Sequence, residues 1–275
     1  MTLVTAWIRE RPDRDELIVA SDSRLSFGAR WDCCPKVFPL AREDSVLAFC
    51  GDTAFAYPIL LQLSNSVTNY RKSRSREQDI TSLRPHLLKV IEHMRKEVHS
   101  LPKGNSEIDT KDFKLLFAGY SWRRRQFKAW SLYYDTKLQR FHYRPLTFHK
   151  KQTGGTKPVL FMGDHVMKAY GSLYHRLAKA GNLQTGPLDM EPLEVLGDLI
   201  EDCTYESISG PPQIVKIYPY ARTLPINVLW PRKRPTFIAH YGRPLLDYES
   251  SDFACLDLDS MELLSPQRAF ERIGS

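Results

Sequence analysis

The sequence lacks any long hydrophobic run. No apolar segment approaches the roughly 20 residues that a membrane-spanning helix needs, and the first eleven residues become charged too early for a signal peptide. The five cysteines are odd in number and lack Cys-x-x-Cys spacing, so they suit neither a disulfide framework nor a zinc ribbon. We therefore expect a soluble protein of the reducing cytoplasm, with no membrane contact and no metal site.

Periodic and low-complexity segments are also missing. The 18 prolines and 14 glycines follow no repeat, which excludes a collagen-like chain. Hydrophobic residues make up 42% and charged residues 26% of the 275 residues, a composition typical of a folded chain rather than a disordered one. This length accommodates one large domain or two small ones.

Positive charge is in modest excess. The formal net charge is +7, which permits an anionic partner but does not require one. Basic residues cluster in three links, Arg71–Arg76, Arg123–Arg125 and Arg232–Arg234. Surfaces that bind nucleic acid interleave such residues with aromatic rings on which bases stack, and only Trp122 and Trp230 lie near these links. We therefore interpret the links as solvated loop ends and do not expect nucleic-acid binding.

Hydrophobic patterning predicts strands and helices in separate groups. The predicted elements are strands at 3–8, 17–20, 36–40 and 45–50, helices at 53–70 and 79–101, strands at 113–120, 126–134, 140–144 and 159–162, helices at 165–181 and 192–205, and strands at 212–218, 227–230, 236–241 and 253–256. Thr81 or Ser82 is expected to cap the second helix. Grouped strands argue against a doubly wound parallel sheet and favour antiparallel sheets between outer helices, an α+β class.

Several short motifs, taken in order, resemble proteasome β-type subunits and the bacterial proteasome-like threonine peptidases, including their ancestral-β-subunit-like branch. The motifs are TLVTA at 2–6, VASDSR at 19–24, PKV at 35–37, AFCGDTA at 48–54, MGDH at 162–165 and ESISGPPQIV at 206–215. The resemblance implies a four-layer αββα sandwich of the N-terminal nucleophile hydrolase type over residues 1–220. Residues 221–275 would then form a β-rich C-terminal extension packed on the same domain.

The chemistry of such an enzyme centres on Thr2. A hydroxyl is a weak nucleophile near neutral pH unless a base lies within hydrogen-bonding reach. If Met1 is removed, Thr2 gains a free α-amine, whose ordinary pKa of about 7.7–8.0 suits a general base. Nucleophile and base would then belong to one residue, so we expect no cofactor.

The resemblance implies roles for further residues. Lys36 would supply a positive charge beside the nucleophile, Asp22 would hold Lys36, the Gly51 N–H would bind the oxyanion, and Ser209 would support the amine. Two positions depart from the family pattern. Asp164 stands where a serine is usual, which would place an extra acid near the amine, and Glu206 replaces the late aspartate with a longer side chain.

The substrate pocket is predicted from positions that flank the site in the family. These positions are Leu25, Cys34, Phe38, Phe49 and Thr53, and none of them is charged. An apolar pocket would favour Leu or Phe beside the cleaved bond. The alternative is that these side chains only pack the sheet.

Taken together, the resemblance predicts a threonine peptidase that acts on polypeptides within a homo-oligomeric ring, with an ATP-dependent unfoldase as a further partner. Two alternatives stay open from the sequence. One is a catalytically silent homologue that serves as a scaffold or sensor, and the other is a small-amide hydrolase on the same fold.

Overall fold

The computed structural model describes residues 2–27, 29–98, 113–146, 158–183, 187–202, 204–220, 222–233 and 236–274. Its strands are β1 (Leu3–Arg9), β2 (Glu16–Ser21), β3 (Leu25–Phe27), β4 (Ala29–Trp31), β5 (Val37–Pro39), β6 (Ser45–Cys50), β7 (Lys114–Ser121), β8 (Gln126–Asp135), β9 (Arg140–Pro145), β10 (Val159–Gly163), β11 (Gln213–Tyr218), β12 (Arg222–Trp230), β13 (Phe237–His240), β14 (Arg243–Pro244), β15 (Cys255–Asp257) and β16 (Leu263–Leu264). Its helices are α1 (Thr53–Asn69), α2 (Arg71–Arg74), α3 (Ile80–Lys96), α4 (Val166–Lys179), α5 (Glu191–Glu201) and α6 (Pro266–Gly274).

Two main sheets organise these elements, as the grouping of predicted strands indicated. The first is nine-stranded, with the path β10-β1-β2-β11-β12-β13-β14 and with β15 and β16 attached through β12. The second runs β5-β6-β7-β8-β9, and every pair in it is antiparallel. The chain is therefore a mixed α and β protein with antiparallel sheets, in agreement with the predicted class.

Strand β1, which lies between β10 and β2, is buried on both faces, which explains why most of its residues are apolar. Side chains alternate across a strand, so Leu3 and Trp7 face one side, where they pack with helices α4 and α5. Val4 and Ala6 face the other side and contact side chains of the second sheet, among them Val46. A third apolar cluster joins that second sheet to helices α1 and α3.

The C-terminal segment continues the first sheet. Strand β12 pairs antiparallel with β11 through the register Ile214↔Ile226 and pairs in parallel with β15 through Val228↔Leu256. Helix α6, which the sequence pattern did not predict, covers a small cluster that includes Leu229 and Ala269. The boundary between residues 220 and 221 stays a prediction.

Two smaller findings complete the fold. Helix α3 is capped by Asp79, whose side chain accepts from the Thr81 N–H, so the expected cap at Thr81 or Ser82 was wrong by two or three residues. In the described part of the chain, each helix is too short or too polar to traverse a bilayer.

Candidate active site

Asp22 connects the start of the chain to Lys36. It follows β2 and has no exposed surface, and its Oδ1 accepts a hydrogen bond from the Leu3 N–H at 3.1 Å. Its Oδ2 accepts from Lys36 Nζ at 2.9 Å and from the Arg24 N–H at 3.1 Å. One carboxylate therefore fixes the backbone next to Thr2 and also forms an ion pair with Lys36.

Lys36 precedes β5 and its side chain is completely buried. Burial lowers the pKa of Lys36, because removal from water disfavours the ammonium ion, and the charges of Asp22 and Asp164 partly offset that effect. The lysine thus holds its proton less tightly than an exposed lysine does, while two carboxylates still favour its charged form.

Thr2 lies at the beginning of β1, buried against the end of β10. Its carbonyl oxygen accepts a hydrogen bond from the Asp164 N–H at 2.8 Å. Gly163, the residue before Asp164, has a φ of 112°, and a Cβ atom on Gly163 would collide with the Thr2 carbonyl. Glycine at 163 therefore allows the close approach that sets the position of Thr2. Met1 lies outside the described residues, so its removal stays a prediction.

Gly51 directly follows β6, whose end lies close to Thr2 and Gly163. A Cβ atom added at Gly163 would lie 3.2 Å from the Cβ of Cys50, which brings the end of β6 beside the start of β1. Gly51 has a φ of 101°, a conformation that favours glycine. Burial raises the pKa of Cys50 to about 12, so this neighbouring thiol stays protonated at neutral pH.

Asp164 contributes an incompletely satisfied carboxylate. Its Oδ2 atom is buried and has no hydrogen-bond partner among the described residues. A buried carboxylate oxygen without a partner is energetically costly and readily accepts a hydrogen bond from a cation. Since the Asp164 N–H already binds the carbonyl of Thr2, this acceptor is carried by a residue in direct contact with the predicted nucleophile.

Ser209 and Glu206 have different surroundings. The Ser209 N–H donates to Asp22 Oδ2 at 3.4 Å, which brings Ser209 to the Asp22–Lys36 pair. The Glu206 side chain is exposed and forms an ion pair with Arg30 at 2.6 Å. The structure therefore groups Ser209 with the predicted site and places the Glu206 carboxylate at the surface, where Arg30 is its partner.

Gln213 is a residue that the sequence reasoning missed. Its Oε1 accepts from the backbone N–H groups of Lys36, at 2.8 Å, and of Val37, at 3.3 Å. Its Nε2 donates to Ser23 Oγ at 2.7 Å and to the Cys34 carbonyl at 2.6 Å. This buried amide thereby ties the segment that carries Lys36 to the segment that carries Asp22. The available signal was an amide side chain at the start of a strand that is apolar apart from Gln213 and Lys216.

The predicted substrate-binding residues divide into buried and partly exposed ones. Leu25 and Phe49 are buried in the cluster beneath α1 and α3, whereas Cys34 and Phe38 only border that cluster and Thr53 is half-buried at the start of α1. Phe38 lines a cavity of about 440 Å³, which His240 and Tyr241 from the C-terminal segment also line. The substrate role of all five positions stays a prediction.

No family model matches the chain, and no curated protein matches it. Among solved structures, the chain is similar to the Anbu (Gly-1) mutant from Hyphomicrobium sp. strain MC1. The two share 14% sequence identity over 79% of this chain and 81% of that chain, with a TM-score of 0.52. Anbu is a proteasome-like bacterial protein related to N-terminal nucleophile hydrolases. At this identity, the likeness shows a shared fold.

These comparisons correct the family assignment. The short motifs around Thr2, Asp22, Lys36 and Gly51 led us to place the chain with the proteasome β-type and proteasome-like threonine peptidases. That assignment was wrong, because no family model includes the chain and its likeness to Anbu is one of fold at 14% identity. Motifs of three to ten residues are too short to establish membership of a family.

Proposed function

We propose that this chain is a hydrolase that cleaves peptide bonds, with Thr2 as the nucleophile once Thr2 is the first residue of the chain. The observation that carries the proposal is the buried Asp22 carboxylate, which binds both the Leu3 N–H and Lys36 Nζ. A buried ion pair is expensive to form, and this one lies directly beside the only residue at the start of β1 with a hydroxyl and a potential free amine. The fold shared with Anbu supports a hydrolase-like scaffold.

The reaction would proceed in two steps. The Thr2 Oγ1 attacks the carbonyl carbon of the substrate while its proton passes to the Thr2 α-amine. The C–N bond then breaks, the leaving amine takes up that proton, and an ester between Thr2 and the substrate acyl group forms. Water, deprotonated by the same α-amine, hydrolyses the ester and restores the hydroxyl.

Each neighbouring group has a defined task in this scheme. The charge of Lys36 favours the alkoxide character of Thr2, and Asp22 holds Lys36 in place. The Gly51 N–H would bind the negative oxygen of the tetrahedral intermediate, an interaction typically worth about 3–4 kcal/mol. The unpartnered Oδ2 of Asp164 would accept a hydrogen bond from the Thr2 ammonium group.

The proposal extends to the architecture and the assembly. The order of the three apolar clusters supports a four-layer sandwich, with helices outside each of the two sheets. We assign the enzyme a polypeptide substrate, a homo-oligomeric ring that limits access to the site, and an ATP-dependent unfoldase as partner.

Covalent labelling tests the assignment. The protein would be prepared with a cleavable leader so that Thr2 becomes the first residue, and then incubated with a β-lactone electrophile. We expect a single acyl adduct that peptide mapping places on Thr2 and that Thr2→Ala abolishes. Thr5→Val, on the same strand, is the matched control and should label like the parent. Labelling that survives in Thr2→Ala would refute Thr2 as nucleophile.

A further inference from the structure

Two basic segments that are far apart in the sequence lie together in the fold. Trp122 precedes the turn Arg123–Arg125, and its indole Nε1–H donates to the Arg76 carbonyl at 3.2 Å. This contact joins that turn to the end of the segment Arg71–Arg76. We call the surface formed by residues 71–76, Tyr120, 122–125 and Tyr220 the basic–aromatic surface.

Aromatic rings lie between the two basic segments. Trp122 is 48% exposed and Tyr220 is 90% exposed. The rings of Tyr220 and Tyr120 are 6.2 Å apart, and both line a cavity of about 360 Å³ together with Arg76, Trp122 and Asp44. The Arg123 guanidinium lies over the Trp122 ring at 5.8 Å from its centre, and the exposed parts of the Trp122 and Tyr220 rings are of a kind that stacks with a planar ligand.

The charge of this surface is strongly positive. Its cationic residues are Arg71, Lys72, Arg74, Arg76, Arg123, Arg124 and Arg125. Among the described residues, Arg71, Lys72 and the three arginines of the 123–125 turn form no ion pair. The nearby Asp44 carboxylate is already bound by Arg42 through both oxygens, so it offsets little of this charge. The other acids close in sequence are Glu43, Glu77 and Asp79, and the Asp79 carboxylate accepts hydrogen bonds from the Ser121 hydroxyl and the Arg123 N–H.

We propose that the basic–aromatic surface binds single-stranded nucleic acid. Guanidinium groups bind phosphates, and unpaired bases stack on aromatic rings; the fold supplies both kinds of group on one face. An acidic polypeptide would use the charges but would leave the rings of Trp122 and Tyr220 without a stacking partner. In the sequence the basic links had few aromatic neighbours, because Tyr220 is about a hundred residues away from Trp122.

The surface is separate from the proposed active site. It shares no residue with the site around Thr2, Asp22 and Lys36, so the proposal is independent of the peptidase assignment. Variants of the surface can therefore be tested for binding with the Thr2 site left intact.

Fluorescence anisotropy with a fluorescein-labelled 20-nucleotide oligo(dT) tests the proposal. At a fixed 50 mM NaCl, we expect Trp122→Leu and Tyr220→Leu each to raise Kd about tenfold, the effect of losing one stacked base. Trp31→Leu is the matched control, since Trp31 is 58% exposed but lies elsewhere. Its Kd should equal that of the parent protein.

The salt dependence provides a second readout. Each phosphate contact on a single strand contributes a slope of about 0.7 to log K against log salt, so replacing Arg123, Arg124 and Arg125 with serine should reduce the slope by about 2. The charge-matched control replaces the exposed residues Lys137, Arg140 and Lys179 with serine and should keep the parent slope.

Three outcomes would overturn the proposal. One is no binding of the oligonucleotide at 50 mM NaCl. Another is equal loss of affinity in the surface variants and their controls, which would indicate attraction by net charge alone. The third is binding of a polyglutamate peptide as tight as that of oligo(dT), with no effect of Trp122→Leu or Tyr220→Leu, which would indicate an acidic polypeptide as the partner.

Discussion

At the scale of single residues, the pair formed by Lys36 and Asp22 is the most informative feature of the site. Both side chains are fully buried, so their 2.9 Å ion pair offsets part of the cost of removing each charge from water. The sequence predicted this pair, since both residues lie in short motifs that resemble a known constellation. It did not predict Gln213, because an amide that hydrogen-bonds four groups from other segments is recognisable only once those segments are brought together.

Loss of the Lys36 charge should reduce both the turnover of the folded enzyme and the stability of the fold. We expect Lys36→Ala to lower kcat at least about a hundredfold and the free energy of unfolding by about 3–5 kcal/mol, because the buried Asp22 carboxylate keeps its backbone N–H donors but loses its counter-ion. Asp22→Asn should cost less activity. The measurements are peptide hydrolysis, normalised to folded protein, and urea unfolding.

Lys216 provides a matched control for that variant. It is also a buried lysine, and its Nζ lies 3.1 Å from Glu16 Oε1. Lys216→Ala should lose stability in the same way and keep kcat. If the two variants lost activity equally, or if Lys36→Ala kept full turnover, the reacting group would have to lie elsewhere.

Asp164 should set the pH dependence of the reaction. A carboxylate near the Thr2 amine favours the protonated ammonium form, so it raises the pH at which the amine becomes a base. Asp164→Asn removes that charge, and the acidic limb of the kcat/KM profile should therefore move to lower pH. A limb that stays in place or moves to higher pH in this variant would show that Asp164 does not act on the amine.

At the scale of elements, short-range pattern predicted most of the longer strands and helices but not α6, and the ends of the elements depended on contacts made across the fold. The N-terminal hairpin and the pairing of β5 with β6 follow from apolar runs that are close in the sequence and separated by polar turns. The cap of α3 was predicted at the wrong residue, because Asp79 also binds Ser121 and Arg123, which are about forty residues further along the chain. The spacing of apolar residues that predicts a helix does not indicate those partners.

The cap of α3 should therefore contribute more stability than an ordinary cap. Burial alone would raise the pKa of Asp79, but hydrogen bonds from Thr81, Arg123 and Ser121 outweigh it and hold that pKa below its usual value. We expect Asp79→Ala to lower the free energy of unfolding by about 2 kcal/mol at pH 7, the upper end for loss of a cap. Asp52→Ala, which removes the cap of α1, should cost about 1 kcal/mol.

The sign of the pH effect follows from the lowered pKa. The stability that Asp79 contributes is fully present above its unfolded pKa, near 3.8, and is lost as the pH falls through the lower folded value. The difference between Asp79→Ala and the parent should therefore shrink from pH 4 towards pH 2 in urea titrations. A difference that is constant over this range would mean that the charged carboxylate is not what stabilises the cap.

At the scale of the whole molecule, the sequence was sufficient for the class of fold but not for the family. Grouped strands and amphipathic helices indicate antiparallel sheets whatever the ancestry of the chain. The parallel addition of β15 to β12 could not be predicted, because it depends on where the C-terminal segment runs after the sheet has formed. The likeness to Anbu at 14% identity shows a shared fold, and it does not support the family assignment made from the short motifs.

Assembly is the property of the whole molecule that the proposed function most requires. A peptidase with an open site would cleave other proteins without control, and helix α4 carries two exposed apolar side chains, Met167 and Tyr174, on one face.

We expect light scattering to give a mass that is a multiple of 31.8 kDa. Met167→Glu combined with Tyr174→Glu should lower that mass, because charges would then be buried in the contact. Leu138→Glu, an exposed leucine in a turn, should not change it. A single 31.8 kDa species over a wide concentration range would contradict the ring.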